Sequence, residues 1–159
     1  MSRVILEDSR QKPVQNVHIK LQLESLGYKV ERSKLYCGDY TFPTNQSICI
    51  DTKQDLQEVC GNVTQQHERF QAECLRAKDA GIKLVILVQE NNVSKLSEVP
   101  SWYNWRLKKQ PKALNGIKLW KIMKTISEKY GVTWLFCKKS DCGRRIVDIL
   151  EGNVELENL

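Results

Sequence analysis

The segment Ile48-Cys49-Ile50-Asp51-Thr52-Lys53 joins an apolar run to an acid and a lysine that stand two residues apart. Successive side chains of a β-strand point to opposite faces, so Cys49, Asp51 and Lys53 share one face. The two isoleucines lie on the other face, where they can pack into a core. The segment therefore predicts a strand that presents a carboxylate and an ammonium group side by side.

A second acid, Asp39, lies twelve residues upstream in Gly38-Asp39-Tyr40, at the entry to the preceding predicted strand. Two carboxylates suit a hard divalent cation such as Mg²⁺ (or Mn²⁺), and Lys53 beside them can position or activate an attacking water. Together they predict a metal-dependent phosphodiesterase site in which Asp39 and Asp51 hold the metal. Two simpler interpretations stay open. Asp51 and Lys53 can form a solvated charge pair, and Asp39 can be a turn residue after glycine.

Composition and charge favour a globular protein with an anionic partner. Among 159 residues, 41% are apolar and 28% charged, and 25 basic residues against 19 acidic ones give a net charge of +6. A modest positive charge favours nucleic acid, although many proteins that never contact DNA share it. No signal peptide is recognisable, and the longest apolar run, Leu84 to Val88, is too short to cross a membrane. The six scattered cysteines are typical of reduced thiols, so we expect a cytoplasmic protein without disulfides.

Apolar spacing predicts an α/β order of elements. The first predicted helix covers residues 14–26, with Val14, Val17, Leu21 and Leu26 as its apolar face, and one long helical pattern runs from Leu56 to a stop at Gly81. The remaining predicted elements are strands at 4–6, 28–35, near Asp39, 48–53, 83–88 and 132–137, and helices at 119–130 and 144–150. This order predicts one mixed sheet flanked by helices.

The length fits a single domain over residues 1–150. Within it we distinguish a core at 3–90, an irregular insertion at 91–115 and a strand-helix completion at 116–150. Residues 151–159 form an acidic tail that we expect to be frayed.

Several segments in a fixed order carry a family resemblance. They are Asp8-Ser9-Arg10-Gln11, Leu35-Tyr36-Cys37-Gly38-Asp39-Tyr40, Ile50-Asp51-Thr52-Lys53, and Gln66-His67-Glu68-Arg69-Phe70 followed by Glu73 and Arg76-Ala77. Together they resemble the XPF-type (ERCC4-like) nuclease domain, a branch of the PD-(D/E)XK superfamily. The compact ending resembles phage or prophage members of this group.

This resemblance implies a restriction-endonuclease-like fold and a Mg²⁺- or Mn²⁺-dependent DNA endonuclease that acts at flaps, forks or junctions. It implies that Asp39 and Asp51 carry the metal, that Lys53 serves the water, that Asp8 completes the acidic site and that Arg10 approaches a phosphate. It further implies a bacterial or phage-infected cell as the setting, and a homodimer, because domains of this type commonly pair. Asp8 has a local alternative as the cap of the helix that follows.

Three positions depart from the family pattern. Gln11 stands in place of a glutamate, Asp51-Thr52-Lys53 replaces Glu-Arg-Lys, and Gln57 stands where an aspartate is expected. They leave a second hypothesis open, a DNA-binding or scaffold module that keeps the fold without the chemistry. A third hypothesis is a nuclease for RNA or for small phosphate esters.

Two further groups are candidate DNA contacts. Gln66 and Arg69 lie on the helix that the family places near the scissile phosphate, although a solvated helix face explains them equally well. In the insertion, aromatic and basic side chains can stack a base and bind phosphate, unless the tryptophans only anchor the loop to the core. These insertion residues are Trp102, Trp105, Arg106, Lys108, Lys109 and Lys112.

Overall fold

A computed structural model describes residues 3–159, and six strands in it form one mixed sheet. The strands are β1 (Arg3–Asp8), β2 (Tyr28–Ser33), β3 (Tyr40–Thr41), β4 (Ile48–Lys53), β5 (Lys83–Gln89) and β6 (Thr133–Cys137). Their order across the sheet is β2-β1-β3-β4-β5-β6, and only β3 runs antiparallel to its neighbours. The predicted α/β fold with a mixed sheet is confirmed.

Helices cover both faces of the sheet and enclose two apolar cores. One face packs α1 (Val17–Ser25) and α5 (Cys142–Leu150), and the other packs α2 (Leu56–Val63), α3 (His67–Asp79) and α4 (Gly116–Tyr130). Strand β4 contributes to both cores, since Cys49 packs beneath α2 and α3 whereas Ile50 packs beneath α1 and α5. The alternation predicted for residues 48–53 is therefore confirmed, and Asp51 and Lys53 face the side of α2 and α3.

The predicted apolar face of α1 is wrong at Val14, Val17 and Leu21, whereas Leu26 packs against the core as predicted. Ile19 and Leu23 are fully buried, whereas Val14, Val17 and Leu21 are 82%, 47% and 61% exposed. A short 3₁₀ helix, Pro13–Asn16, precedes the α-helix and moves Val14 out of register. Two apolar pairs on this helix have the same four-residue spacing, Val17 with Leu21 and Ile19 with Leu23. The helix packs against α5 so that the pair Ile19 and Leu23 is buried.

The single long helix predicted after residue 55 is two helices. The Thr64 hydroxyl donates to the carbonyl of Cys60 at 2.6 Å, and the chain leaves the helical conformation at Thr64 before α3 begins at His67. A threonine that bonds the backbone of the preceding turn competes with the regular helix and bends it. The start of α2 is well defined, because Asp55 accepts from the Glu58 amide while Glu58 accepts from the Gln54 amide.

The last nine residues make a few contacts with the body of the domain although most of their side chains are exposed, and the expectation of a frayed tail stays a prediction. Leu156 packs beside the core under α1 and α5, and the Asn158 amide bonds the Trp134 N–H at 2.7 Å and the Val132 carbonyl at 3.1 Å. The tail thus runs along the outer edge of β6. Among residues 3–159, no helix is long and apolar enough to span a membrane.

Candidate active site

A polar cleft of about 720 Å³ opens between the ends of β1 and β4 and the helices α2 and α3. It brings together the predicted site residues Asp8, Arg10, Asp39, Asp51, Lys53, Gln66 and Arg69. These residues come from separate elements, so only the fold unites them.

Asp39 is placed by a glycine turn. Gly38 has φ +73°, and a side chain there would bring its Cβ within 3.1 Å of the Cys49 Cβ and the Ile50 carbonyl. Glycine adopts this left-handed conformation without steric cost. The Asp39 amide then donates to the Ile50 carbonyl at 2.7 Å, and its carbonyl accepts from the Asp8 amide at 2.8 Å. Asp39 is thus tied to both neighbouring strands.

Thr52 holds the Asp39 carboxylate. Its backbone N–H and its hydroxyl both donate to Asp39 Oδ2, at 2.8 and 3.0 Å. Both residues are buried. The simple interpretation of Asp39 as an ordinary turn residue is therefore insufficient, because its side chain is fixed from the strand that carries Asp51.

Asp51 and Lys53 are buried together, at 5% and 8% exposure, so they are not a solvated pair. Lys53 Nζ forms an ion pair with Asp51 Oδ2 at 3.0 Å, and among residues 3–159 no group donates a hydrogen bond of regular geometry to this oxygen. The ion pair offsets part of the cost of burying the Asp51 charge, but the oxygen keeps unused capacity to accept a hydrogen bond or to bind a cation. Such an atom is expected where a ligand completes the site.

Electrostatic coupling follows from this burial. Burial, and then the negative charge of Asp51, raise the pKa of Asp39 well above its ordinary value. Burial by itself lowers the pKa of Lys53, but Asp51 and then Glu58 outweigh it and raise that pKa. The raised pKa favours the protonated form of Lys53 at neutral pH, so this side chain can neutralise part of the charge of Asp51 and is poorly suited to accept a proton.

Glu73 is a cleft residue to which the sequence analysis gave no role. It lies on α3, and burial, followed by the charge of Asp51, raises its pKa to about 7. Its spacing of four residues from Arg69 places both on one side of the helix, which is the signal that could have identified it. Glu58 on α2 also lines the cleft, and burial raises its pKa.

Asp8 lines the cleft, but its carboxylate is already engaged. It accepts from Arg10 Nε at 3.0 and 3.1 Å and from the Leu35 amide at 3.0 Å. Arg10 also donates to the Leu35 carbonyl at 2.7 Å. This cluster fixes the guanidinium at the cleft wall, where about half of the Arg10 side chain stays exposed.

The donor set fits a magnesium-like ion held by few protein ligands. Within residues 3–159, no group of three or more His, Cys, Asp or Glu side chains is assembled for a metal. Mg²⁺ keeps several waters and commonly uses one or two carboxylates, which Asp39 and Asp51 can supply from the wall of the cleft.

The insertion residues lie outside the cleft lining. Trp102 is partly buried and packs against the core beneath α2–α4, as the anchoring alternative proposed. Trp105, Arg106, Lys108, Lys109 and Lys112 are exposed on the surface beside α2.

A family comparison places this cleft among known proteins. The ERCC4 domain family model matches residues 8–143, which include every cleft acid. The chain belongs to the ERCC4 domain family. A comparison with curated proteins finds no match.

Solved structures that share this ERCC4 domain fold include XPF from Aeropyrum pernix. One is 19% identical with a TM-score of 0.62, and it covers 96% of this chain and 62% of that one. Another, described as XPF from Aeropyrum pernix in complex with DNA, is 18% identical with a TM-score of 0.63, covering 95% and 64%. The chain thus spans less than two thirds of either protein.

Two departures from the family motif have structural roles in this ERCC4 domain. Thr52 supplies both donors to Asp39, as described above. Gln57 lies on α2 and donates from Nε2 to Asn104 Oδ1 at 2.6 Å, so it ties the helix to the insertion. Thr52 therefore stabilises the site, and Gln57 stabilises the adjacent loop.

Proposed function

We propose that this ERCC4 domain is a Mg²⁺- or Mn²⁺-dependent DNA endonuclease that cuts at flaps, forks or junctions. The observation that carries the proposal is the buried cluster of Asp39, Asp51 and Lys53 in a polar cleft, with Asp51 Oδ2 ion-paired to Lys53 and open to a further ligand. The family match and the DNA complex of a fold relative support DNA as the substrate.

Asp39 and Asp51 would hold the cation, with Thr52 orienting Asp39. The cation would supply Lewis-acid stabilisation of a phosphoryl oxygen and a water of lowered pKa. Asp39, with its raised pKa, would release any proton it carries as the site is loaded. Lys53, held protonated above the Phe70 ring at 5.6 Å, would stabilise the charge that develops on the phosphate oxygens.

The cleft wall supplies groups for the DNA backbone. Arg10, fixed by Asp8, lines the cleft together with two exposed residues, Gln66 at the N-cap of α3 and Arg69 within that helix. Cationic and amide side chains bind phosphate without regard to sequence. Such contacts agree with an enzyme that selects DNA by shape.

The test is cleavage of labelled flap, fork, junction and plain duplex DNA in Mg²⁺, Mn²⁺ or EDTA. Asp51→Asn and Lys53→Met are expected to abolish cleavage and to retain DNA binding. Asp79→Asn, an exposed acid at the end of α3, is the matched control and should keep full activity. Full activity in Asp51→Asn would exclude this site. Absence of cutting by the unmodified protein, with equal DNA binding in EDTA, would favour the binding or scaffold module, and preferred cutting of RNA would favour the third hypothesis.

Three further expectations are part of the same proposal. They are homodimerisation, a phage or prophage origin, and a location in the cytoplasm of a bacterial or phage-infected cell. Light scattering of the purified protein tests the first directly.

A further inference from the structure

The positive charge of the chain is concentrated in one segment. Residues 99–127 contain seven Lys and Arg and no Asp or Glu, whereas the whole chain has a net charge of +6. The rest of the chain is therefore close to neutral. The segment includes the insertion loop and the first part of α4, and its basic side chains are exposed.

Within this segment, the two tryptophans of the loop have different roles. Trp102 is the anchor, packed against the core. Trp105 is 58% exposed and Tyr103 is 59% exposed, and the Arg106 guanidinium lies 5.4 Å from the centre of the Trp105 ring. An exposed aromatic ring with a cation beside it needs a reason, because burial of such rings is strongly favourable.

A buried asparagine holds this loop in one conformation. Asn104 is 1% exposed, and its Nδ2 donates to the Leu114 carbonyl at 2.7 Å. Its Oδ1 accepts from the Arg106 amide at 3.0 Å and from Gln57 Nε2 at 2.6 Å. The Trp105 ring is thus displayed from a braced loop, and little ordering cost remains to be met when a ligand binds.

The loop and the cleft lie on neighbouring sides of one helix. Glu58 and Asn62 of α2 line the cleft, whereas Gln57 of the same helix bonds the loop. A helix with its side chains is about 10–12 Å across, which a few nucleotides of unpaired DNA can span. A strand that leaves the cleft over α2 would therefore pass toward the loop that carries Trp105.

We propose that a surface formed by Tyr103, Trp105, Arg106, Lys108, Lys109 and Lys112, named here the Trp105 ridge, binds an unpaired single-stranded arm of the DNA substrate. The proposal rests on the proposed function and names the part of the substrate that lies outside the cleft. Lysines alone would suit duplex and single strand alike. Exposed rings that can stack select unpaired bases, because the faces of paired bases are covered in a duplex.

Fluorescence anisotropy in EDTA separates this binding from cleavage. The probes are a labelled fork with unpaired arms and a blunt duplex of the same length. Trp105→Ala is expected to weaken fork binding by about tenfold and to leave duplex binding unchanged. Trp105→Phe should keep most of the affinity. Leu21→Ala, an equally exposed apolar side chain on the opposite face of the sheet, is the matched control and should bind like the unmodified protein.

Unchanged fork binding in Trp105→Ala, or equal losses on fork and duplex, would overturn the assignment. Cleavage assays with Mg²⁺ keep the two proposals apart. If the unmodified protein binds forks through Trp105 yet cuts no DNA, the nuclease fails and the ridge stands. If it cuts forks and Trp105→Ala binds and cuts them equally well, the ridge fails and the nuclease stands.

Discussion

Thr52 takes the place of an arginine in the family motif, and both of its donors bond Asp39. Thr52→Val keeps the shape of the side chain and removes the hydroxyl. We expect the affinity for Mg²⁺ to fall about tenfold, the lower end of the effect of losing a partner that orients a ligand. Calorimetric titration with Mg²⁺ measures this without cleavage. Thr41→Val is the control, because that buried hydroxyl donates to the Ile48 carbonyl and not to Asp39. If Thr52→Val binds Mg²⁺ as tightly as the unmodified protein, the Thr52 hydroxyl does not support metal binding by Asp39.

Glu73 makes the metal-free protein sensitive to pH. Its pKa is raised to about 7 from an ordinary 4.5, so the folded state binds its proton more tightly than the unfolded state does. Stability is therefore highest below the unfolded pKa and falls as pH rises through about 7. In EDTA, Glu73→Gln should match the unmodified protein at pH 4, below the unfolded pKa, and exceed it by on the order of 2 kcal/mol at pH 8. Urea unfolding at both pH values tests this, with the exposed Glu68→Gln as control. A parallel pH dependence in the two proteins would contradict it.

The sequence was sufficient for the residues whose position follows from strand alternation. Asp51 and Lys53 share a face because they stand two apart on β4. The position of Asp39 near them could be predicted because it directly precedes β3, the strand that pairs with β4. Glu73 and the bonds of Thr52 and Asp8 depend on helix rotation and on side-chain rotamers. The spacing of Glu73 from Arg69 places both on one side of a helix, but which way that side faces and which bonds form were settled only by the packed structure.

Helix α1 shows how an element can be predicted while its orientation is not. Leu21 and Leu23 are equally apolar, but Leu23 is fully buried and Leu21 is 61% exposed. Leu23→Ala is expected to lower the free energy of unfolding by about 2–5 kcal/mol. Leu21→Ala should change it by less than about 0.5 kcal/mol. Thermal and urea unfolding of both variants measure the difference, and a larger loss in Leu21→Ala would restore the stripe predicted from the sequence.

The break between α2 and α3 has a comparable cause at the same scale. Apolar residues recur at helical spacing from Leu56 to Cys74, so the sequence pattern predicts one helix. The Thr64 hydroxyl bond to Cys60 ends α2, and the new axis of α3 carries Arg69, Phe70 and Glu73 to the cleft. Because the helix is interrupted, α3 takes the direction in which it forms one wall of the candidate site.

Across the whole molecule, the sheet was predictable in type because buried strands alternate with helices. The strand order and the docking of the tail were not, since they depend on contacts between residues far apart in sequence. Asn158 bonds the outer edge of β6 across 24 residues, to Trp134. An unpaired strand edge is a template for association with another chain, so this cover has a physical role.

Leu156→Asp tests that role, because a charged side chain cannot remain packed beside the core. We expect the tail to detach, the Trp134 amide to exchange with solvent faster, and the protein to associate at high concentration through the bared edge. Hydrogen exchange of residues 133–137 and light scattering measure both effects. Glu157→Ala alters an exposed side chain of the same tail and should change neither. If the amides of residues 133–137 still exchange slowly in Leu156→Asp and its mass by light scattering does not rise, β6 is protected without the tail. The bond of Asn158 to Trp134 would then have no protective role.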